Sequence, residues 1–356
     1  MNFGQVLGHL EFTRAKVALL SVLAVLYLVS FVAHQMQAFA ILGYALGSVL
    51  IYVSSGGLIK ALKNFAYYSG LSEYATGVVS GFASGVPEAV VVILLVASGV
   101  PALLETAVTA VVLTAGFNLL LIGVYILLAG FRSHGVIRVP KEVIERESDL
   151  LRISIVMAGL IFALGLTRGI GSFLPWEVGG FMLTAYFVYG VFLFRSGGGR
   201  RETPSELIPR GETYVLLALG FLIVLIAAES IRESTVLVVE FFHLAPVAAA
   251  TLVALVGSVP EHGVAIMGGL KGEHSIGLAN LLSGVTQTFL ITFGAIILLA
   301  PVTVNGFLLF QLASLAGVVW LVKKSITDDE RLTADEGLFI LALQVLIFIL
   351  IEELRF

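Results

Sequence analysis

Ser84-Gly85-Val86-Pro87-Glu88 and Gly257-Ser258-Val259-Pro260-Glu261 say nearly the same thing, and each lies within a long apolar run. A carboxylate at mid-membrane depth costs several kcal/mol unless it is paired, hydrated or bound to a cation. This chain carries one at corresponding places in each of its halves. Gly/Pro-interrupted segments in matching positions of two halves are a sequence pointer to a transporter's binding site.

The rest of the composition agrees with a membrane setting. Of 356 residues, 58% are hydrophobic and 12% charged, with mean hydropathy +1.04. A soluble domain carries roughly a quarter charged residues, so the composition excludes one and predicts an all-α polytopic membrane protein. There is no cysteine, hence no disulfide or thiolate nucleophile. Met1–Thr13 is mixed and polar and the first apolar run is long enough to span, so no secretory signal peptide is expected. The six histidines are scattered and no HExxH or GxSxG pattern with supporting partners occurs, which speaks against an enzyme. The expected partners are the lipid bilayer and transported cations, with no nucleic acid. Oligomeric state is not legible.

A spanning helix needs about 20 mostly apolar residues. Eleven stretches qualify: 17–34, 38–63, 72–98, 101–130, 151–171, 176–195, 213–231, 244–270, 275–301, 304–322 and 335–353. With the N-terminus in the cytoplasm, 17 of the 20 lysines and arginines fall inside, leaving Arg168, Arg232 and Arg355 outside. A miscounted span would scramble that bias. The expected protein is multi-pass in a prokaryotic cell membrane, with its C-terminus outside. The hydrophilic stretch 196–212, with Ser196-Gly197-Gly198-Gly199-Arg200-Arg201, reads as a flexible cytoplasmic linker. Residues 1–37 then form an extra N-terminal span, 38–195 a first five-span repeat and 213–356 a second. Five is odd, so the repeats enter the membrane in opposite directions. The Pro-Glu pairs fall in the second span of each repeat.

The helix after each Pro-Glu carries small residues followed by a carboxamide: Thr114-Ala115-Gly116-Phe117-Asn118 and Ser283-Gly284-Val285-Thr286-Gln287. Calcium takes about 6–8 oxygen ligands, typically carboxylates, carbonyls and amides. Glu88 and Glu261 supply anionic oxygen, Asn118 and Gln287 amide oxygen, and Ser84 and Ser258 hydroxyls. An interior proline removes one backbone hydrogen bond and frees nearby carbonyls. Two like charges repel, so an empty site favours proton uptake. Protons and a cation competing for one cage is the physical basis of antiport. His262, beside Glu261, is placed to relay a proton. A channel is the alternative class. Channels usually build symmetric oligomeric filters, whereas an internally duplicated chain with one acid per half argues for alternating access.

At these residues the chain resembles the calcium/cation antiporter superfamily. Each of that superfamily's two alpha-repeats carries a glutamate in a Gly/Ser/Thr-rich broken helix, followed by a Gly-Ser-x-x-x-Asn-like helix. The second half is most similar to the proton/calcium exchanger branch: Glu261-His262, then Lys271, then Gln287, 26 residues after the glutamate. Ala228-Glu229-Ser230 resembles that branch's acidic start to the second repeat. The Pro-Glu dipeptides look more like sodium/calcium exchangers, and the Gly-Ser pair becomes Leu113-Thr114 in one half and Ser283-Gly284 in the other. The resemblance implies a secondary active antiporter exchanging Ca2+, or a similar divalent cation, for H+. Na+/Ca2+ exchange is the alternative within the superfamily. It implies no cofactor and no catalytic residue; Glu88, Glu261 and His262 would couple protons.

Overall fold

The structure, a computed structural model, describes residues 9, 13–70, 73–132, 135–195, 204, 206–256 and 274–354. Its helices are α1 (Arg14–Val32), α2 (Met36–Tyr68), α3 (Glu73–Ala97), α4 (Pro101–Arg132), α5 (Lys141–Arg168), α6 (Trp176–Arg195) and α7 (Arg210–Val236). There follow α8 (Pro246–Val256), α9 (His274–Gln287), α10 (Gly294–Leu299), α11 (Gly306–Asp328) and α12 (Ala334–Leu354). Two π-helical segments interrupt this order: Leu237–Phe241 continues α7, and Thr288–Phe293 joins α9 to α10. Two short strands, β1 (Val136–Arg138) and β2 (Arg331–Thr333), pair antiparallel. Among the described residues, eight helical spans are long and apolar enough to cross a membrane. The chain is an all-α polytopic membrane protein.

Helix ends follow from local chemistry. Thr13 accepts from the Lys16 N–H at 3.3 Å and opens α1. The Asn305 side chain accepts from the Leu308 N–H at 2.8 Å and opens α11. Thr333 and Glu336 form a reciprocal capping box at the start of α12: the Thr333 N–H reaches Glu336 Oε2 at 2.8 Å, and the Glu336 N–H reaches Thr333 Oγ1 at 3.3 Å.

The chain divides into two compact units. The first comprises Met1–Ala107 and Leu193–Glu261, the second Val108–Phe192 and His262–Phe356. In the first unit α2 and α7 cross closely because small residues meet there. A Cβ placed on Gly43 would lie 2.1 Å from Ser234 Oγ, and one on Gly47 would lie 2.5 Å from Ile231 Cγ1. The Gly43–Gly47 spacing is the small-xxx-small device by which membrane helices approach. The Ser230 hydroxyl donates to the Gly43 carbonyl at 2.9 Å, and the Tyr44 and Thr235 hydroxyls bond at 2.8 Å. Helix α1 packs on α2 and exposes Val22, Leu28 and Val32, an apolar face suited to lipid.

In the second unit α5 packs along α11 and against α9. Gly123 of α4 and Gly337 of α12 bring those helices together: a Cβ on Gly337 would lie 2.7 Å from Ile126 Cγ2. Strand β1 pairs with β2 at one end, with Ile137 opposite Leu332. Phe173 bridges Thr303 in a second loop pair, where the Leu174 N–H donates to the Val302 carbonyl at 2.9 Å and the Val304 N–H to the Ser172 carbonyl at 2.7 Å.

Four expectations are corrected. Helix α5 begins at Lys141, ten residues before the expected 151, with β1 just ahead of it. Pro140 precedes that helix, and Val143, Glu147, Leu150 and Leu151 give it a buried face despite its charges. Helix α3 is not broken at Pro87 but runs through it to Ala97. Helix α7 continues past the expected end at 231, so Arg232 and Glu233 are helical, and Arg232 pairs with Glu229 one turn away. Finally, part of the expected linker is held in place. Asn64 of α2 accepts from the Ile208 N–H at 2.9 Å and donates to the Glu206 carbonyl at 3.1 Å, while the Tyr68 hydroxyl donates to the Ile208 carbonyl at 2.6 Å. Ala61, Ile208 and Leu216 bury an apolar cluster beneath. The expected eighth span, 244–270, is helical over 246–256, and residues 257–270 lie outside the described residues.

Candidate cation site

Glu88 follows Pro87 within the apolar helix α3 and is 3% exposed. A proline at this position has no N–H to donate to the preceding turn, so the carbonyl there has one bond fewer from the helix. Ser84 stands one helical turn before Glu88, on the same face by the i, i+4 rule; its side chain lies outside the described residues. Thus α3 brings one carboxylate and one proline-loosened turn to the same face in the first unit.

The carboxamides lie in the second unit. Asn118 sits on α4 at 2% exposure, one turn after the buried Thr114. Gln287 is the last residue of α9, 5% exposed, directly before the π-helical segment Thr288–Phe293. A π segment adds one residue to the helical turn and recurs at functional sites. Here it begins at the residue after a candidate ligand. Glu261, Ser258 and His262 lie outside the described residues. Among the described residues there is no cluster of three or more His, Cys, Asp or Glu side chains.

Glu147 is a buried acid that the sequence reading passed over. It is 0% exposed, two turns into α5. Its signal was present but diluted: Lys141 to Arg152 is the most charged stretch in the chain, and an apolar window over it reads as loop. Near the start of α9, His274 Nδ1 bonds the Tyr125 hydroxyl at 3.0 Å, and burial holds His274 below the usual histidine range. Glu229 does not act alone: the Arg232 guanidinium donates two hydrogen bonds to its carboxylate.

The described residues therefore include a buried carboxylate in an apolar helix of the first unit and, in the second unit by itself, two buried carboxamides with buried hydroxyls, oxygen donors of the hard kind that alkaline-earth cations take. Comparison with known proteins places this arrangement in context. The family described as "Sodium/calcium exchanger protein" matches residues 39–195 and 212–354. No curated protein matches the sequence. Among solved structures, the chain is similar to the H+/Ca2+ exchanger CAX at 16% identity and TM-score 0.72, covering 94% of this chain and 89% of that one. It is similar to YfkE at 17% identity and TM-score 0.69, covering 94% and 98%. It is also similar to the sodium-calcium exchanger NCX_Mj at 17% identity and TM-score 0.62, covering 87% and 97%. At these identities the structural likenesses establish the fold.

Proposed function

Since this chain belongs to the sodium/calcium exchanger protein family, we propose that it is an alternating-access antiporter exchanging Ca2+, or a similar divalent cation, for H+. The observation that carries the reading is Glu88, a carboxylate 3% exposed behind a proline in an apolar helix. An acid so placed is stable when it holds a cation or a proton. Glu88 and Glu261 bind the cation and take up protons when it leaves. Asn118, Gln287, Ser84 and Ser258 complete the oxygen shell, and His262 relays protons. The repeat boundaries 38–195 and 213–356 are supported by the two stretches that match the family, 39–195 and 212–354. The lysine and arginine bias supports eleven spans with the N-terminus cytoplasmic and the C-terminus outside.

The Pro-Glu dipeptide in both halves favours a second reading, sodium-coupled calcium exchange. Radioactive calcium uptake into proteoliposomes separates the two, with an outward proton gradient or an outward sodium gradient imposed one at a time. Proton-driven uptake indifferent to sodium is the expected result. Uptake driven by sodium alone establishes the second reading, and uptake with neither gradient refutes calcium as the cargo.

A further inference from the structure

Within the second unit a groove of about 410 Å³ runs between α5 and α6. Met157, Leu160, Ile161 and Leu164 form one stripe of α5 and line one wall; Val178 and Phe181 of α6 line the other. Helix α6 leans instead on α10, where a Cβ on Gly179 would lie 2.4 Å from the Gly294 carbonyl oxygen. Leu160 and Phe181 are exposed, so the groove opens on the side these spans turn to lipid. From Met157 to Leu164 it follows α5 for about 10 Å, most of the roughly 15 Å of hydrocarbon in one leaflet.

One end of this groove is charged. Glu177, in the first turn of α6, belongs to the lining and is exposed. Arg168 continues the α5 stripe one turn beyond Leu164 and is exposed too. Its guanidinium donates to the Phe173 carbonyl at 3.3 Å, which sets it against the connector that joins the two walls. That connector is itself fixed, because Gly171 and Leu174 donate to the carbonyls of Val304 and Val302. The apolar run of α5 ends at Arg168, and the exposed Trp176 opens α6. Both charges therefore stand where spans leave the hydrocarbon, the depth at which tryptophan anchors and lipid head groups lie. A guanidinium matches the oxygens of a phosphate, and a carboxylate accepts from an ammonium. We propose that this groove binds a phospholipid with a primary-amine head group of the ethanolamine type, its acyl chain along the α5 stripe, its phosphate on Arg168 and its ammonium on Glu177. A choline head group keeps the positive charge but has no N–H to donate. A glycerol head group leaves the lipid anionic, and Glu177 repels it. On the topology proposed above, the leaflet is the outer one.

The test is native mass spectrometry of the full chain, delipidated in detergent and titrated with dioleoyl phosphatidylethanolamine, phosphatidylcholine or phosphatidylglycerol, one at a time. The parent binds the ethanolamine lipid about tenfold more tightly than the choline lipid, the worth of one hydrogen bond to a charged group. Glu177→Gln erases that preference. Arg168→Gln weakens the ethanolamine and choline lipids alike, and Leu160→Trp, which fills the groove, weakens all three. Glu177→Lys reverses the order in favour of the glycerol lipid, a gain that misfolding cannot produce. A parent that does not distinguish ethanolamine from choline overturns the proposal. So does a preference that survives Glu177→Gln, since the sorting then happens elsewhere on the surface. A parent that prefers the glycerol lipid overturns it as well, because Arg168 then captures an anionic head group alone. Should Glu177→Gln fail to fold, the Glu177→Lys order decides, and an unreversed order counts against the site.

Discussion

Glu88→Gln removes one charge and almost no volume. Glu88 is 3% exposed, so its ionised form is stripped of bulk water, and taking a carboxylate out of water costs several kcal/mol. The glutamine relieves that penalty, and we expect the cation-free variant to equal or exceed the parent by up to about 2 kcal/mol. In a chain of this size each kcal/mol moves Tm by about 2 °C. Calcium acts in the other direction. At a hundred times Kd it stabilises the parent by about 2.7 kcal/mol, roughly 5 °C. A hundredfold loss of affinity brings the same concentration down to Kd, where stabilisation is RT ln 2, about 0.4 kcal/mol or roughly 1 °C. The assay is thermal unfolding in detergent with and without calcium. A Glu88→Gln protein that keeps the full calcium-dependent shift refutes Glu88 as a ligand. One that is much less stable without cation shows instead that Glu88 is needed by the fold.

Three further outcomes follow from particular contacts. Gly47→Leu forces side-chain volume into the α2–α7 crossing and should cost about 1–3 kcal/mol, seen as a lower Tm; Gly180→Leu, where nothing lies within 4 Å of the new Cβ, serves as the control, and equal losses would refute the packing argument. Asn64→Ala leaves the Ile208 N–H unbonded beneath a buried cluster. It should cost about 1–3 kcal/mol and speed proteolysis within 196–209, while unchanged cleavage would show that Tyr68 alone holds the segment. His274 is held below its ordinary range by burial, so the unfolded chain binds its proton more tightly. Its contribution is fully present above about pH 6.5 and is lost as the pH falls through that value toward the folded pKa. A Tm profile in which His274→Gln falls as steeply as the parent would contradict this.

Much of the fold was legible because lipid imposes a simple rule on length and polarity. The span 176–195 coincides with α6, and 101–130 falls two residues short of α4. What escaped has physical reasons. Thr288–Phe293 is β-branched and aromatic but for Leu290, with no Gly or Pro to mark a change of helical pitch, so the π segment is silent in the sequence. Proline marks a lost hydrogen bond but not its consequence, and α3 absorbs Pro87 without a break. Gly43 and Gly47 were readable as a helix-packing pair; their partner, Ala227 to Ser234, was not, because nothing local links residues so far apart. Of the candidate site residues, Glu88, Asn118 and Gln287 are buried. Glu147, buried on α5, was hidden by its charged neighbours.

The two loop pairings in the second unit act as a test of parity. Strands can bond only on one side of a bilayer, so residues 136–138 and 331–333 share a side, and an even number of crossings separates them. Phe173 and Thr303 impose the same condition on the shorter stretch between them. The sequence count places six crossings in the first interval and four in the second. Any revision of that count must therefore add or remove spans in pairs. A single extra crossing between Arg138 and Arg331 would pull β1 and β2 to opposite faces of the membrane.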